Sequence, residues 1–364
     1  MARQLTVTSR LAAVGIGVAV GLLLCEFVLR TTRPTALRSG PEDVEPFVVP
    51  DAALGWVGRP NVRSETRSDP DFRHEVSTNS RGLRNREASY ARDARRRILC
   101  VGDSFTWGLG VESRDAFPSL LEEGLPETEV INAGALGWGT AQEWLWLERE
   151  GQRYSPDVLI LEFYVNDFWE NDGSYLPGQR PAFAVSAGEP VLQASPTPFP
   201  KRSRSESILR FLRGHSWVFR AVRFGEEWIR VGFFQPADLT PLARATLRER
   251  ATTPPAQEVT FALLKRIRAF CEERGIRLIV LSIPSSWDVR PGLGDTTDKL
   301  AFHNAYEIAI RFCRTLNIDT VELLPRLLDM ERRGSGGFHR FDIHLNAAGH
   351  RAAADLLIAR VGPR

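Results

Sequence analysis

Five short runs rich in apolar and β-branched residues recur along the C-terminal part of this chain, and their rhythm limits what it can fold into. They are "RILCVG" (97–102), "TEVINAG" (128–134), "DVLILEFY" (157–164), "IRLIVLSIP" (276–284) and the weaker "IDTVEL" (318–323). Each is short enough for a strand, and none shows the regular apolar–polar alternation of a strand wetted on one face. Between them lie helical patterns: "AFPSLLEEGL", "GTAQEWLWLEREG", "QEVTFALLKRIRAFCEERG" and "KLAFHNAYEIAIRFCRTLN". "NAAGHRAAADLLIAR" closes the chain, with Asn346 placed as an N-cap. Strands covered on both faces and alternating with amphipathic helices predict the α/β class. The expected form is a three-layer α/β/α sandwich around a mainly parallel sheet of about five strands.

The N-terminus obeys a different rule. "LAAVGIGVAVGLLLCEFVL" (11–29) is apolar except for Glu26, and its length approaches the roughly 20 residues a helix needs to cross a hydrocarbon core. A signal peptide is the rival, since Arg3 and Arg10 precede the run, but it ends in "LLLCEFVLR" without the small residues that cleavage requires. Residues 1–30 therefore read as an uncleaved anchor in which Glu26 snorkels or sits neutral. A short tail before a large domain fits an N-in orientation, with the bulk of the protein periplasmic or otherwise extracytoplasmic.

Residues 31–95 are rich in Pro, Arg, Asp and Ser, and read as a linker followed by a small N-terminal cap or hairpin around "HEVSTNSRGLR". The run "ARRR" (94–97) reads as solvated linker. Residues 96–364 form the α/β domain, interrupted at about 171–255. That insertion begins as Pro- and Gly-punctuated loop and continues as "SILRFLRGHSWVFRAVRFGEEWIRVGFF", where arginines mix with large aromatics. A packed helical subdomain is expected there, with a lid or a membrane-surface segment as the alternatives.

A formal net charge of +2 argues against a dedicated nucleic-acid surface. Four scattered cysteines make neither a disulfide framework nor a zinc spacing. His339 and His344 form no recognisable metal set, and no nucleotide-binding glycine loop is present, so no cofactor is expected.

In open parallel sheets the chemistry gathers beyond the C-terminal ends of the strands. After the first strand stands "GDSFTWG", with Ser104 two residues past a glycine. "NAGALGWGT" follows the second strand and brings backbone N–H groups into a glycine-rich turn. "YVNDFWEND" follows the third, and "FDIHLNAAGH" lies near the C-terminus. Singly, these are ordinary turn and cap residues. Together they supply a nucleophile, a base, a carboxylate and oxyanion donors, the parts that acyl transfer requires. In the last stretch Asp342 and His344 are assigned to the site and His350 to the closing helix. Asp103 and Asp167 are expected to stabilise turns.

In this order, "GDSFTWG", "NAGALGWGT", "FYVND" and "DIHLN" resemble the four blocks of the SGNH (GDSL-type) hydrolases. The resemblance covers about Arg95 to Arg364 apart from the insertion, and implies a flavodoxin-like sheet. It implies Ser104 as nucleophile, His344 as general base and Asp342 as its orienting carboxylate. The oxyanion hole would comprise the Ser104 and Gly137 N–H groups and the Asn166 side chain. The chain departs from the commoner pattern twice. The carboxylate lies two residues before His344 instead of three, so an extended backbone is expected to bring the two side chains together. Tyr164 replaces the glycine of the third block. "NSRGLR" and the anchor resemble membrane-tethered bacterial members. The function implied is a membrane-anchored serine esterase whose substrate partner is an acylated, above all acetylated, envelope or secreted carbohydrate. A polysaccharide O-acyltransferase with the same triad and a catalytically silent envelope scaffold stay open.

Overall fold

The apolar N-terminal run forms one helix, α1 (Val7–Thr32), of which Ala13–Thr32 is long and apolar enough to cross a membrane. At about 1.5 Å per residue, those residues span roughly the thickness of a hydrocarbon core. The structure, a computed structural model, describes residues 7–32, 47–68, 71–93, 95–173, 177–197, 208, 211–212, 215–222, 254–290, 296–340 and 342–362. The tether and most of the Arg- and aromatic-rich stretch expected in the insertion lie outside these residues.

The chain divides into two compact units, and Met1–Glu45 with Pro200–Gln235 make the first. Glu26 has partners within this unit. It pairs with Arg30 at 2.8 Å and accepts hydrogen bonds from the Ser216 hydroxyl and the Trp217 and Val218 N–H groups at 2.9–3.0 Å. A carboxylate at the start of the 217–222 helical turn satisfies N–H groups that the turn cannot satisfy itself.

The second unit is Pro46–Phe199 with Pro236–Arg364. It begins with two antiparallel hairpins, β1 (Val48–Asp51) with β2 (Gly55–Gly58), and β3 (Arg63–Ser68) with β4 (Phe72–Ser77). The "HEVS" part of the expected cap or hairpin lies in β4, and "TNSRGLR" lies beyond the hairpin as a turn. Asn79 Oδ1 accepts from the Arg81 and Leu83 N–H groups at 2.9 and 3.0 Å, which closes that turn around Gly82.

The α/β core follows: β5 (Arg96–Gly102), α2 (Ser104–Trp107), α3 (Phe117–Gly124), β6 (Thr128–Gly134), α4 (Thr140–Arg149), β7 (Val158–Phe163) and α5 (Asp167–Glu170). A hairpin, β8 (Ala182–Ser186) with β9 (Glu189–Ala194), occupies what the sequence suggested was loop. Its turn places Ala187 and Gly188 at φ 52° and 82°, the two left-handed residues of a tight hairpin turn. Then come α6 (Pro254–Glu273), β10 (Arg277–Ser282), α7 (Ser286–Val289), α8 (Thr296–Thr315), β11 (Asp319–Glu322), α9 (Leu324–Arg332) and α10 (Ala347–Val361).

The five core strands are all parallel, in the order β11–β10–β7–β5–β6. Numbered within the sheet this is the flavodoxin-like order, and its switch point falls between β5 and β7. Every residue of β6 and β7 is buried, as strands covered on both faces must be. Helix α3 packs with α10, and α4 with α6.

Arg97 corrects the reading of "ARRR" as linker. It lies in β5, 2 % exposed, paired with Glu129 at 2.6 Å and donating to the Tyr154 carbonyl. A guanidinium with several buried acceptors can stand where a solvated one was expected. Cys100, Cys271 and Cys313 are buried and free.

Candidate active site

The strand-to-helix turn after β5 is built for close approach. A Cβ at Gly102 would lie 2.2 Å from Thr106 Oγ1 and 2.5 Å from Glu162 Oε2, so no larger residue fits. Asp103 caps α2, its Oδ1 accepting from the Phe105 N–H at 2.8 Å. Ser104 therefore stands in the first helical turn, half-buried, with its hydroxyl free to face the other end of the chain.

His344 meets it there. Ser104 Oγ lies 2.8 Å from His344 Nε2, and His344 Nδ1 lies 2.5 Å from Asp342 Oδ1. The carboxylate accepts a hydrogen bond from Nδ1–H, which leaves Nε2 to accept from the serine hydroxyl. The route to this contact differs from the extended backbone expected. Residues 342–344 bend, and Asp342 Oδ1 accepts both the His344 main-chain N–H, at 2.9 Å, and its ring N–H. Burial by itself raises the Asp342 carboxyl, but the His344 hydrogen bonds and charge outweigh it and hold the group down to about 2. Asp342 is thus ionised whenever the base must work.

The loop behind the pair fixes its position. His339 N–H donates to the His344 carbonyl and Asn346 N–H to the Gly337 carbonyl, both at 3.0 Å. Phe105 packs its ring 4.9 Å from the His344 ring. Asn346 caps α10 by accepting from the Gly349 N–H at 3.0 Å. His350 is fully buried, its Nδ1 accepting from the Phe117 N–H, and burial lowers it to about 3. It is a structural group, as the division of "FDIHLNAAGH" anticipated.

Gly137 follows β6 at φ +67°, a conformation that favours glycine. Asn166 follows β7, and its amide nitrogen lies 3.2 Å from both Asp103 Oδ2 and Glu170 Oε2. Its Oδ1 has no partner among the described residues. Both amide hydrogens are thus committed to carboxylates in this state, and donation to an oxyanion requires one of those bonds to be exchanged. Asp167 ties the turns together, accepting from the Thr140 N–H and hydroxyl and the Tyr164 N–H. Tyr164, in place of the family glycine, packs 4.7 Å from the Phe105 ring.

Beneath the site lies a group of buried acids that no sequence motif announced: Glu143, Glu162 and Glu170 beside Asp103 and Asp167. Burial and the neighbouring carboxylates raise Glu143 and Glu162 well above the usual range, and raise Asp167 to about 7. Glu162 Oε2 accepts from the Asp103 N–H at 3.0 Å and the Thr106 hydroxyl at 3.2 Å. A charge in the middle of "DVLILEFY" was the one visible signal. Glu143 is 1 % exposed, and neither of its oxygens has a partner among the described residues.

Glu143 therefore favours its neutral form in the fold, whereas in the unfolded chain it ionises near pH ~4.3. A raised folded value contributes stability below about pH 4, and that contribution is lost as pH rises through the folded value. Glu143→Gln is expected to gain stability relative to wild type at pH 9, by about 1.4 kcal/mol per unit of pKa shift removed. At pH 4 it should gain none. Urea unfolding at both pH values measures the difference, and an equal effect at the two would refute it.

A model of the GDSL-like Lipase/Acylhydrolase family matches residues 100–352, the span that contains Ser104, Gly137, Asn166, Asp342 and His344. No curated protein matches the chain. Among solved structures it is similar to the acetyl xylan esterase AlAXEase, at 15 % identity over 73 % of this chain and 99 % of that one, with a TM-score of 0.41. A G-D-S-L lipolytic protein from Veillonella parvula gives 13 % identity over 74 % and 99 %, at a TM-score of 0.41. A catalytic mutant of the acetylxylan esterase Axe2 from Geobacillus stearothermophilus gives 11 % over 74 % and 95 %, at 0.42. The family match spans most of the chain, and the chain belongs to the GDSL-like lipase/acylhydrolase family, as a serine hydrolase acting on ester bonds.

Proposed function

We propose that this protein is a membrane-anchored esterase that removes a short acyl group, above all acetyl, from an envelope or secreted carbohydrate. The observation that carries the reading is the Ser104–His344–Asp342 relay at 2.8 and 2.5 Å, assembled from positions 240 residues apart in the chain. His344 Nε2 takes the Ser104 proton as Oγ attacks the ester carbonyl, and Asp342 stabilises the imidazolium that forms. The Ser104 and Gly137 N–H groups and the Asn166 amide receive the oxyanion. His344 then returns its proton to the leaving sugar oxygen, and a water activated by the same ring releases the acid.

In this proposal residues 1–30 anchor the chain with its catalytic part outside the cytoplasm, residues 31–95 are tether and cap, and 96–364 the hydrolase domain with its insertion at about 171–255. The length and composition of α1 support the anchor. The test uses the full chain in detergent. Chromogenic acetyl esters should turn over at least about tenfold faster than octanoyl esters, a ratio that pocket discrimination against several methylenes supplies. Acetylated oligosaccharides should release acetate. Preference for octanoyl would sink the short-acyl reading, and acetyl passing to an added oligosaccharide in preference to water would replace hydrolase by O-acyltransferase.

A further inference from the structure

Two side chains from outside the four catalytic blocks close around the turns that carry Gly137 and Asn166. Arg180, at the start of the segment between β7 and β10, is 4 % exposed. It grips Glu170 with both ends of its fork, Nη1 to Oε2 at 3.0 Å and Nη2 to Oε1 at 3.2 Å. Its Nη1 also donates to Gln142 Oε1 at 3.0 Å. Glu170 Oε2, so held, is an acceptor of the Asn166 amide at 3.2 Å. The same carboxylate lies against the second turn, since a Cβ at Gly139 would stand 2.9 Å from Glu170 Cβ.

Trp56, from the β1–β2 hairpin and outside the family match, completes the enclosure. Arg180 Cζ lies 4.9 Å from its ring centre. The Trp56 indole N–H donates to the Leu136 carbonyl at 2.8 Å, and its own carbonyl accepts from the Trp138 indole at 3.0 Å. The residue between Leu136 and Trp138 is Gly137. A Cβ there would lie 3.8 Å from both Arg180 Nη2 and the Trp56 ring. One guanidinium therefore touches the supports of two of the three oxyanion donors.

We propose that Arg180 is a positioning residue for the oxyanion hole, acting through Glu170 on Asn166 and, with Trp56, on the turn of Gly137. This rests on the assignment of Ser104, Gly137 and Asn166 given above. The physical reason is geometric. A bidentate guanidinium fixes both oxygens of a carboxylate, whereas an unclamped Glu170 could rotate and release the amide it holds.

A double-mutant cycle in the full chain tests it, with kcat and KM read on an acetyl ester. Asn166→Ala is expected to lower kcat about 10²-fold, the scale of one lost oxyanion donor. Arg180→Ala should lower kcat about 10–100-fold with KM changed less than about threefold. In the Asn166→Ala background, Arg180→Ala should cost less than about threefold more, because the group it acts through is gone. Losses that multiply, or a loss confined to KM, overturn the proposal. If Arg180→Ala fails to fold by thermal melting, the isosteric Glu170→Gln enters the same cycle with the same expectations. Failure of the underlying assignment is distinguishable, because it appears as wild-type turnover that survives Ser104→Ala. Failure of the present proposal appears as multiplying losses in an enzyme whose turnover depends on Ser104.

Discussion

Replacing Ser104 by alanine is expected to lower kcat/KM for an acetyl ester by about 10⁴–10⁶-fold, the range seen when a triad serine is removed from an enzyme that keeps its oxyanion donors. The hydroxyl is the one atom of the residue that faces His344 Nε2, at 2.8 Å, and no neighbouring side chain offers a substitute nucleophile in that hydrogen bond. Folding should be unaffected. The cap of α2 is the Asp103 carboxylate, and the turn is closed by the Ser104 carbonyl accepting from Gly108 and Leu109, none of which involves the hydroxyl. Circular dichroism and melting should match wild type while acetate release disappears. Turnover within tenfold of wild type would remove Ser104 from the chemistry.

The second large effect is on stability. Arg84→Ala is expected to cost about 3–5 kcal/mol, the scale of several buried carbonyls left unsatisfied at about 1–3 kcal/mol each. Arg84 is 1 % exposed, and its guanidinium donates to main-chain carbonyls of Trp107, Gly108, Val111 and Glu75. It also lies over the Trp107 ring, 4.5 Å from its centre. Burial lowers it to about 10, still far enough above neutrality to keep it charged. Alanine would leave those carbonyls without their donor and open a cavity of arginine size. Since Gly108 is the residue that terminates α2, activity should fall along with stability. Guanidinium-induced unfolding measures the cost, and a change below about 1 kcal/mol would mean the carbonyls find other donors.

Much of the core was legible because its cause is local. Strands buried on both faces must be apolar along their length, and β6 spans the same Thr128–Gly134 that the sequence marked. Gly102, Asp103 and Ser104 announce a strand-to-helix turn by residue type, since a tight turn, a cap and an exposed hydroxyl each call for a particular side chain. The β8–β9 hairpin escaped because Ala187, an unusual residue at positive φ, hides its turn. Arg97 escaped because its Glu129 partner lies on the neighbouring strand, where only pairing of β5 with β6 brings it.

The sequence by itself determined the class of fold, the order of its strands and helices and the positions where reactive groups leave the sheet. It could do so because hydrophobic period, caps and turns act over a few residues. Only the tertiary structure decided that His344 reaches Ser104, that Asp342 reaches His344 by a bend instead of an extended strand, and that Asn166 is held by carboxylates. The same holds for the buried acids and for Arg180 and Trp56, whose partners Gln142 and Leu136 lie 38 and 80 residues away. Contacts of that kind are set by which turns the folded sheet brings to one edge, and no local pattern encodes them.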